Sequence, residues 1–368
     1  MSANDSRASR CRRGLRLTAA AAAFLTAGTI VSAGAAAASP VEPTAGQPTA
    51  TQVADQVNST LASAPLEQGL PVPPTGLTLN GAKPGLIAAD KLHVVKETGE
   101  WNGDEPVMLT VRLESVLGKA KSTKVTLVNA SPGEIGSGVD AGQTVGIPDR
   151  EGDMWFGVAP LTSTDVLDAA IDQTPVPIPV VVTATVMLEG DMSNGPMIGA
   201  MGQTVADHLQ RSLAPQLENT KVMIDPNFKV SGLEDALSRI QTAATPNSDV
   251  ITQLVVQKIQ DWTSSFADPD DPVGVSLTAL VPVDKSVTDF IKTPAALGLD
   301  SQYMKVTKHP VRTTPFDTDI ELRTGLLVPP SALNGAEQQW WTTYSGDYVL
   351  DAPVEYRVWN HAWPQINW

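Results

Sequence analysis

Apolar and polar side chains alternate along several short segments of this chain. In one of them, Pro106–Ser115, every second residue from Val107 to Leu113 is Val or Leu, and the residues between are Met, Thr or Arg. Successive side chains of a strand point to opposite faces, so this pattern predicts strands with one buried face. Strands are predicted at Asp90–Thr98, Pro106–Ser115, Thr123–Val128, Val180–Leu188, Val273–Val281, Gln302–Lys308, Phe316–Val328 and Asp347–Val358.

A longer period of three to four residues follows in the middle of the chain and predicts helices. These are Met201–Leu217, Leu233–Thr242 and Val250–Phe266, with shorter helices at Lys285–Ile291 and Ser331–Trp341. Ser231, followed three residues later by Glu234, forms a capping-box pattern at the start of the middle helix. The order of elements predicts an α+β fold, in which a β-sandwich-like antiparallel body carries a helical insertion or cap at 196–266.

The N-terminus has the pattern of an export signal. Five arginines precede Leu17–Ala38, which carries no charge, is rich in alanine and ends in Ala36-Ala37-Ala38. A positive start, an apolar middle and small residues at the end predict a signal peptide over 1–38, cleaved after Ala38. The alternative is a retained membrane anchor, because these 22 uncharged residues are long enough to cross a bilayer. The predicted location is secreted, extracellular or in the cell envelope.

Residues 39–85 are rich in Pro, Ala, Thr, Gly and Gln, which predicts a disordered or extended linker. The folded body then divides into a β-rich first part over 86–195, the helical insertion over 196–266, and a β-rich second part with an aromatic tail over 267–368.

Net charge indicates which partners the chain can bind, and cysteine content indicates whether it can form a disulfide. The chain has 40 acidic and 25 basic residues, a net charge of −15. Loss of 1–38 would remove five arginines and one aspartate and shift the net charge to about −19. Such a chain repels nucleic acid and anionic membranes, so we expect neither as a partner, and no membrane span after signal cleavage. The single cysteine, Cys11, lies in the predicted signal, so the mature chain would form no disulfide.

Aromatic residues concentrate at the C-terminus, where five of the eight tryptophans lie in the last 29 residues. Tryptophan rings stack on sugars and anchor protein partners, but they also fill cores. Either role fits the candidate ligand-binding residues, which are Trp340, Trp341, Trp359, Trp363 and Tyr356. Trp340 and Trp341 are adjacent, so they cannot both face the same side of an element.

Three carboxylates form a second candidate site. Asp317, Asp319 and Glu321 alternate along the predicted strand Phe316–Val328, which places them on one face. Calcium prefers such oxygen ligands, so a calcium site is one hypothesis and a solvated acidic face is the other. Apart from this calcium, no cofactor is predicted.

No catalytic motif is recognisable. The chain lacks a Gly-x-Ser-x-Gly elbow and a phosphate-binding loop, and its four histidines are not at zinc-ligand spacing. We therefore expect an exported, non-catalytic protein that binds a cell-wall glycan or another envelope protein. The alternative is a secreted hydrolase that uses carboxylates or a dispersed Ser-His-Asp arrangement with His361. A purely structural envelope protein is a third hypothesis.

One stretch of sequence resembles a known group. Asp90-Lys-Leu-His-Val-Val-Lys, followed by Gly103-Asp-Glu-Pro-Val107, is similar to exported actinobacterial proteins of unknown function. In that group a strand with a Leu-x-Val core precedes one that begins with Asp-Glu-Pro and an aromatic residue, a position that Val107 occupies here. The resemblance covers about 40 residues around 90–130. It implies a β-rich start to the body and an actinobacterial origin, and it supplies no activity or site.

Overall fold

Eleven strands and five helices make up the part of the chain that the structure describes. The structure is a computed structural model, and it describes residues 83–98, 103–190, 195–224, 231–263, 271–291, 293–300, 302–313, 316–348 and 353–366. The predicted signal peptide 1–38 and the predicted linker up to residue 82 lie outside the described residues, as does Trp368.

The strands and helices have the following bounds. The strands are β1 Gly85–Lys96, β2 Pro106–Val116, β3 Lys124–Leu127, β4 Thr144–Gly146, β5 Asp153–Phe156, β6 Pro179–Glu189, β7 Asp271–Pro282, β8 Met304–Arg312, β9 Phe316–Leu327, β10 Gln338–Tyr348 and β11 Val354–Trp363. The helices are α1 Asp149–Gly152, α2 Ser163–Asp172, α3 Gly195–Asn219, α4 Ser231–Thr263 and α5 Lys285–Thr288, with 3₁₀ turns at Pro294–Leu297 and Pro330–Leu333. None of these helices is long and apolar enough to cross a bilayer.

All eleven strands belong to one curled, mixed sheet. Its order is β3-β2-β6-β7-β9-β10-β11-β1-β4, with β5 beside β1 and β8 beside β9. The α+β, β-rich fold class is therefore confirmed. The expectation of a wholly antiparallel body is wrong at one place, because β7 and β9 pair in parallel. The connection between these strands explains the parallel pairing. Strand β8 lies between β7 and β9 in sequence, and it pairs antiparallel with β9 on the edge of β9 that faces away from β7. Because β8 runs opposite to β9, the chain reverses before β9, and β9 runs in the same direction as β7.

The sheet changes direction at β9. The start of this strand, Phe316–Thr318, pairs with β10, whereas Glu321–Leu327 pairs with β7. Strands β2, β6 and β7 therefore form one half of the sheet, and β10, β11 and β1 form the other. Apolar side chains of both halves meet in shared clusters. One cluster combines Met187 with Tyr356, and another combines Leu280 with Trp340. The core thus includes contacts between apolar side chains of the two halves.

Helices α3 and α4 cover the opposite face of the first half. Leu209 and Ile240, one from each helix, belong to the same buried cluster as Val111 and Leu277 of the sheet. Glycine permits the close approach of α3, because a Cβ atom on Gly199 would lie only 1.9 Å from the backbone oxygen of Ala130. The period-3.6 pattern of the sequence corresponds to this packed face.

Two predicted helices, Leu233–Thr242 and Val250–Phe266, are parts of one continuous helix, α4, over the residues that the structure describes. The apparent break is Pro246, which cannot donate to the carbonyl four residues earlier. Side chains around it donate to neighbouring helix carbonyls: the Thr245 hydroxyl to Gln241 O at 2.9 Å and the Asn247 amide to Ala243 O at 2.7 Å.

The predicted helix Ser331–Trp341 is wrong beyond its first turn. Only Pro330–Leu333 is helical, and β10 begins at Gln338. The predicted strand Asp347–Val358 spans the end of β10 and the start of β11. Tryptophan and threonine at 340–343 favour a strand. The side chain of Gln338 also fixes the entry to β10, since its amide donates to Leu326 O at 2.9 Å and its oxygen accepts from Val328 N at 3.0 Å.

Candidate functional site

Tryptophans lie on the outward face of β10 and β11. Along β10, Trp340 is buried and Trp341 is partly exposed, so the two adjacent residues point to opposite sides of the strand. Trp341 pairs across the strands with Trp359, which is also partly exposed. Their ring centroids are 5.0 Å apart at an interplanar angle of 57°. Together with Trp363, these residues form what we call the tryptophan face.

A histidine–aspartate pair borders the tryptophan face. His361 Nδ1 lies 2.6 Å from Asp90 Oδ2, and the His361 ring packs edge-on against Trp363 with centroids 4.3 Å apart. Asp90 reaches this position because the pairing of β1 with β11 shifts register between Ala89 and Lys91. A residue at such an irregularity is displaced from the ladder, which redirects its side chain.

A further carboxylate lies one strand away. Asp153 and His361 both pair with Ala88 of β1, so the three residues form a row across β5, β1 and β11. Burial raises the pKa of Asp153 to about 6, the neighbouring Asp149 carboxylate adds to the rise, and a hydrogen bond from the Trp155 side chain opposes it. Asp153 therefore takes up a proton at mildly acidic pH beside the tryptophan face.

Two of the predicted aromatic ligands face the interior instead. Trp340 is 5% exposed and Tyr356 is fully buried. The Tyr356 hydroxyl donates to Asp104 Oδ2 at 2.6 Å, and burial raises the pKa of this phenol far above its ordinary value. Of the predicted set, Trp341, Trp359 and Trp363 are the residues that are partly exposed.

The three predicted calcium ligands contact arginines. Asp317 and Asp319 each lie 3.6 Å from the Arg312 guanidinium on β8. Glu321 is buried, pairs with Arg323 at 2.7 Å, and accepts from the backbone N–H of Thr343 at 3.3 Å. Within the described ranges, no three His, Cys, Asp or Glu side chains are grouped so that they could hold a metal ion. The calcium hypothesis gains no support from these contacts.

The residues of the hydrolase hypothesis do not share partners. Asp317 and Asp319 contact Arg312, Glu321 contacts Arg323, and His361 contacts Asp90.

Another His–Ser–Asp grouping does occur, but its geometry differs from that of a catalytic triad. His309 Nε2 lies 2.6 Å from Asp249 Oδ1 and 3.4 Å from the Ser248 hydroxyl. A triad uses a different ring nitrogen for each partner, whereas both contacts are made here by the same one.

Sequence reasoning missed Asp90, Asp153 and Trp155 as neighbours of His361 and Trp363. These residues are separated by up to 273 positions, and only the order of strands β5, β1 and β11 brings them together. No pattern in the sequence states that order.

Comparison with known proteins does not assign this chain to a family. No protein-family model, no curated protein and no solved structure matches this chain.

Proposed function

We propose that this protein is exported and acts as a non-catalytic binding module, with the tryptophan face as its site for a cell-wall glycan. The observation that carries the proposal is the cross-strand pair of Trp341 and Trp359 on the outward side of the sheet. Two large rings that are only partly covered by protein offer the flat apolar surface on which a sugar ring packs.

The polar groups beside the rings fit the same ligand. Sugar hydroxyls both donate and accept hydrogen bonds, so they need acceptors and donors close to the stacking surface. Asp90 and Asp153 supply carboxylate acceptors, and Lys91, the cross-strand neighbour of Trp359, supplies a donor. The mixture of apolar rings with a few polar groups is typical of small-molecule sites.

The remaining parts of the proposal concern the fold and the cellular location. We take the curled sheet to be a β-sandwich-like scaffold that holds the tryptophan face rigid, with 196–266 as a helical insertion on its far side. We take residues 1–38 to be a cleaved signal peptide and residues 39–82 to be a linker, which ends before β1 begins at Gly85. The chain then acts outside the cell or in the envelope, as in the exported actinobacterial proteins that residues 90–130 resemble.

Cosedimentation with purified, insoluble cell-wall polysaccharide tests the binding function. Wild-type protein should sediment, and Trp341→Ala with Trp359→Ala should reduce the bound fraction at least tenfold. Phe290→Ala is the matched control, because Phe290 is a strongly exposed aromatic residue that follows α5 and is not part of β10 or β11. Equal binding of all three proteins, or no binding by the wild type, would refute the proposal.

A glycosidase is the second candidate, and Asp153 is the observation that favours it. A carboxyl group with a pKa of about 6 beside tryptophans can act as a general acid. Incubation with the same polysaccharide and measurement of new reducing ends distinguishes the two functions. The binding module releases none, whereas a glycosidase would release them and lose that activity in Asp153→Asn.

A further inference from the structure

Helix α2 exposes larger apolar side chains than it buries. The residues that it buries are Ala169 and Ala170, whereas Leu167 is 43% exposed and Ile171 is 67% exposed. A helix that packs on a core ordinarily turns its large apolar side chains inward. Leu167 and Ile171 are four positions apart, so they lie next to each other on one outward face of α2.

Both ends of α2 are bonded to other parts of the fold. At its start, a capping box closes the first turn and Ser163 N donates to the Ser286 hydroxyl at 2.8 Å. Just beyond its end, Val176 N donates to Val222 O at 2.9 Å. These contacts hold the helix in one orientation, so the exposure of its large apolar side chains follows from how α2 is attached.

The charged residues of α2 are all acidic. Asp165 belongs to the capping box, and Asp168 and Asp172 are exposed beside the apolar pair. Neither of these two carboxylates has an ion-pair partner in the described part of the chain. Like charges four positions apart destabilise a helix, and a carboxylate in the last turn opposes the helix dipole. The α2 stripe is our name for Leu167, Asp168, Ile171 and Asp172.

One kind of partner would relieve all of these unfavourable features together. Positions where a sequence breaks local rules, with no compensation in its own fold, are expected at functional sites. We propose that the α2 stripe docks a basic amphipathic helix of another protein. The apolar face of that helix covers Leu167 and Ile171, and its Lys or Arg side chains pair with Asp168 and Asp172.

The dimensions of α2 suit the packing of one helix on another. Its 10 residues extend over about 15 Å, because each residue of an α-helix adds 1.5 Å. Side chains four positions apart, such as Leu167 and Ile171, form the ridge that packs into the groove of a second helix. The partner therefore needs two to three helical turns with apolar residues at the same spacing.

Charge favours this partner over two other occupants. A second copy that docked through the same stripe would bring Asp168 and Asp172 against their own counterparts, and like charges across an interface are unfavourable. An anionic membrane would meet the same two carboxylates on a chain whose net charge is −15. The α2 stripe shares no residue with the tryptophan face, so the inference does not depend on the proposed glycan binding.

Isothermal titration of the full chain with a synthetic peptide tests the inference. The probe is an amphipathic helix of about 20 residues, with leucine along one face and lysine on both sides of that face. The wild type should bind this lysine peptide, and Leu167→Ser with Ile171→Ser should weaken the binding about tenfold. Val250→Ser is the matched control, because Val250 is an exposed apolar residue of another helix, α4.

A second pair of variants and a second peptide test the charge of the stripe. Asp168→Asn with Asp172→Asn should weaken binding of the lysine peptide about threefold to fivefold, and less at high salt. Asp140→Asn with Asp207→Asn removes the same charge from two other exposed positions and should leave the affinity unchanged. A peptide with glutamate in place of every lysine should not bind the wild type.

Several results would overturn the inference. These are equal affinity of the wild type and the variant changed at Leu167 and Ile171, equal binding of the two peptides, or a wild-type dimer or anionic-vesicle binding that this variant loses. Urea unfolding checks the variant itself. Because both side chains are exposed, it should unfold at the same urea concentration as the wild type, and a clear loss of stability would show that the two side chains pack in the core instead.

Discussion

Asp153 is a partly buried carboxylate whose pKa departs from that of a solvated one. Its pKa is raised from 3.8 to about 6, first by burial and then by Asp149. The folded protein therefore holds the proton more tightly than the unfolded chain does. This contribution to stability is fully present below about pH 4 and is lost as the pH rises through 6.

Replacement of Asp153 by Asn should remove that pH dependence. The full shift corresponds to about 3 kcal/mol, and solvent screening at this partly exposed site reduces the expected contribution to about 1 kcal/mol. Urea unfolding of wild type and Asp153→Asn from pH 4 to pH 7 measures it. The wild type should lose stability relative to the variant over this interval; parallel pH profiles would show that Asp153 has an ordinary pKa.

The buried side chains of Glu321 and Arg323 bond backbone groups of β10 that a neighbouring strand would otherwise bond. Where β9 turns from β10 towards β7, Arg323 donates to Trp341 O and Glu321 accepts from Thr343 N. The pair thus satisfies the backbone at this edge of β10. In the sequence, Glu321 is an acidic residue two positions before the basic residue Arg323. The alternation of a strand therefore predicts that both side chains lie on one face, but it does not predict their bonds to the backbone of β10.

Removal of one charge of this pair should cost more than removal of both. Arg323→Leu leaves the Glu321 carboxylate buried without its cation, and we expect a loss of about 3 to 5 kcal/mol. The double variant Glu321→Leu, Arg323→Leu buries no charge and should lose less than Arg323→Leu alone. Chemical denaturation measures both values. A larger loss in the double variant would show that the backbone contacts, and not the charges, dominate.

At the scale of elements, the sequence predicts best where periodicity is strong. The strands β2, β6 and β7 and the helix α3 lie close to their predicted positions, and α4 joins two segments that were predicted as separate helices. Periodicity fails where long-range contacts decide the structure. The segment before β10 contains helix-compatible residues, but Gln338 bonds the end of β9, and that contact depends on tertiary structure. Helix α2 was missed, although Thr162 and Asp165 form a capping box at its start.

The docking of α3 depends on a glycine contact that the sequence does not display. Gly199→Ala would bring a methyl group against the backbone of Ala130, so we expect a loss of about 2 kcal/mol in the free energy of unfolding. Gly146→Ala is the matched control, because no atom lies within 4 Å of its added Cβ. Thermal and urea unfolding give the comparison; equal effects of the two changes would mean that α3 does not pack as described.

At the scale of the whole molecule, the sequence pattern predicts the class of the fold but not the position of the site. Alternating segments and a helical middle suffice for an α+β, β-rich chain. The sheet order, with β1 between β11 and both β4 and β5, is set by the burial of many weakly distinctive apolar residues at once. Trp341, Trp359 and Trp363 could therefore be nominated from their residue type, whereas Asp90 and Asp153 could not.

Export remains a prediction from the N-terminal pattern and has a direct check. Secreted protein should begin at Ser39, because Ala36-Ala37-Ala38 precedes the predicted cleavage point. Mass spectrometry of the N-terminal peptide from culture medium measures this. An uncleaved Met1 terminus in a membrane fraction would favour the anchor hypothesis.

The central claim is that the outward tryptophans, and not the buried ones, bind a glycan. Protein labelled with ¹⁵N at tryptophan gives a separate indole N–H signal for each ring, and each signal is assigned by single Trp→Phe substitution. Titration with soluble oligosaccharides from a bacterial cell wall should shift the signals of Trp341 and Trp359 and leave that of the buried Trp340 in place. Unchanged signals for Trp341 and Trp359 at saturating oligosaccharide would contradict the account.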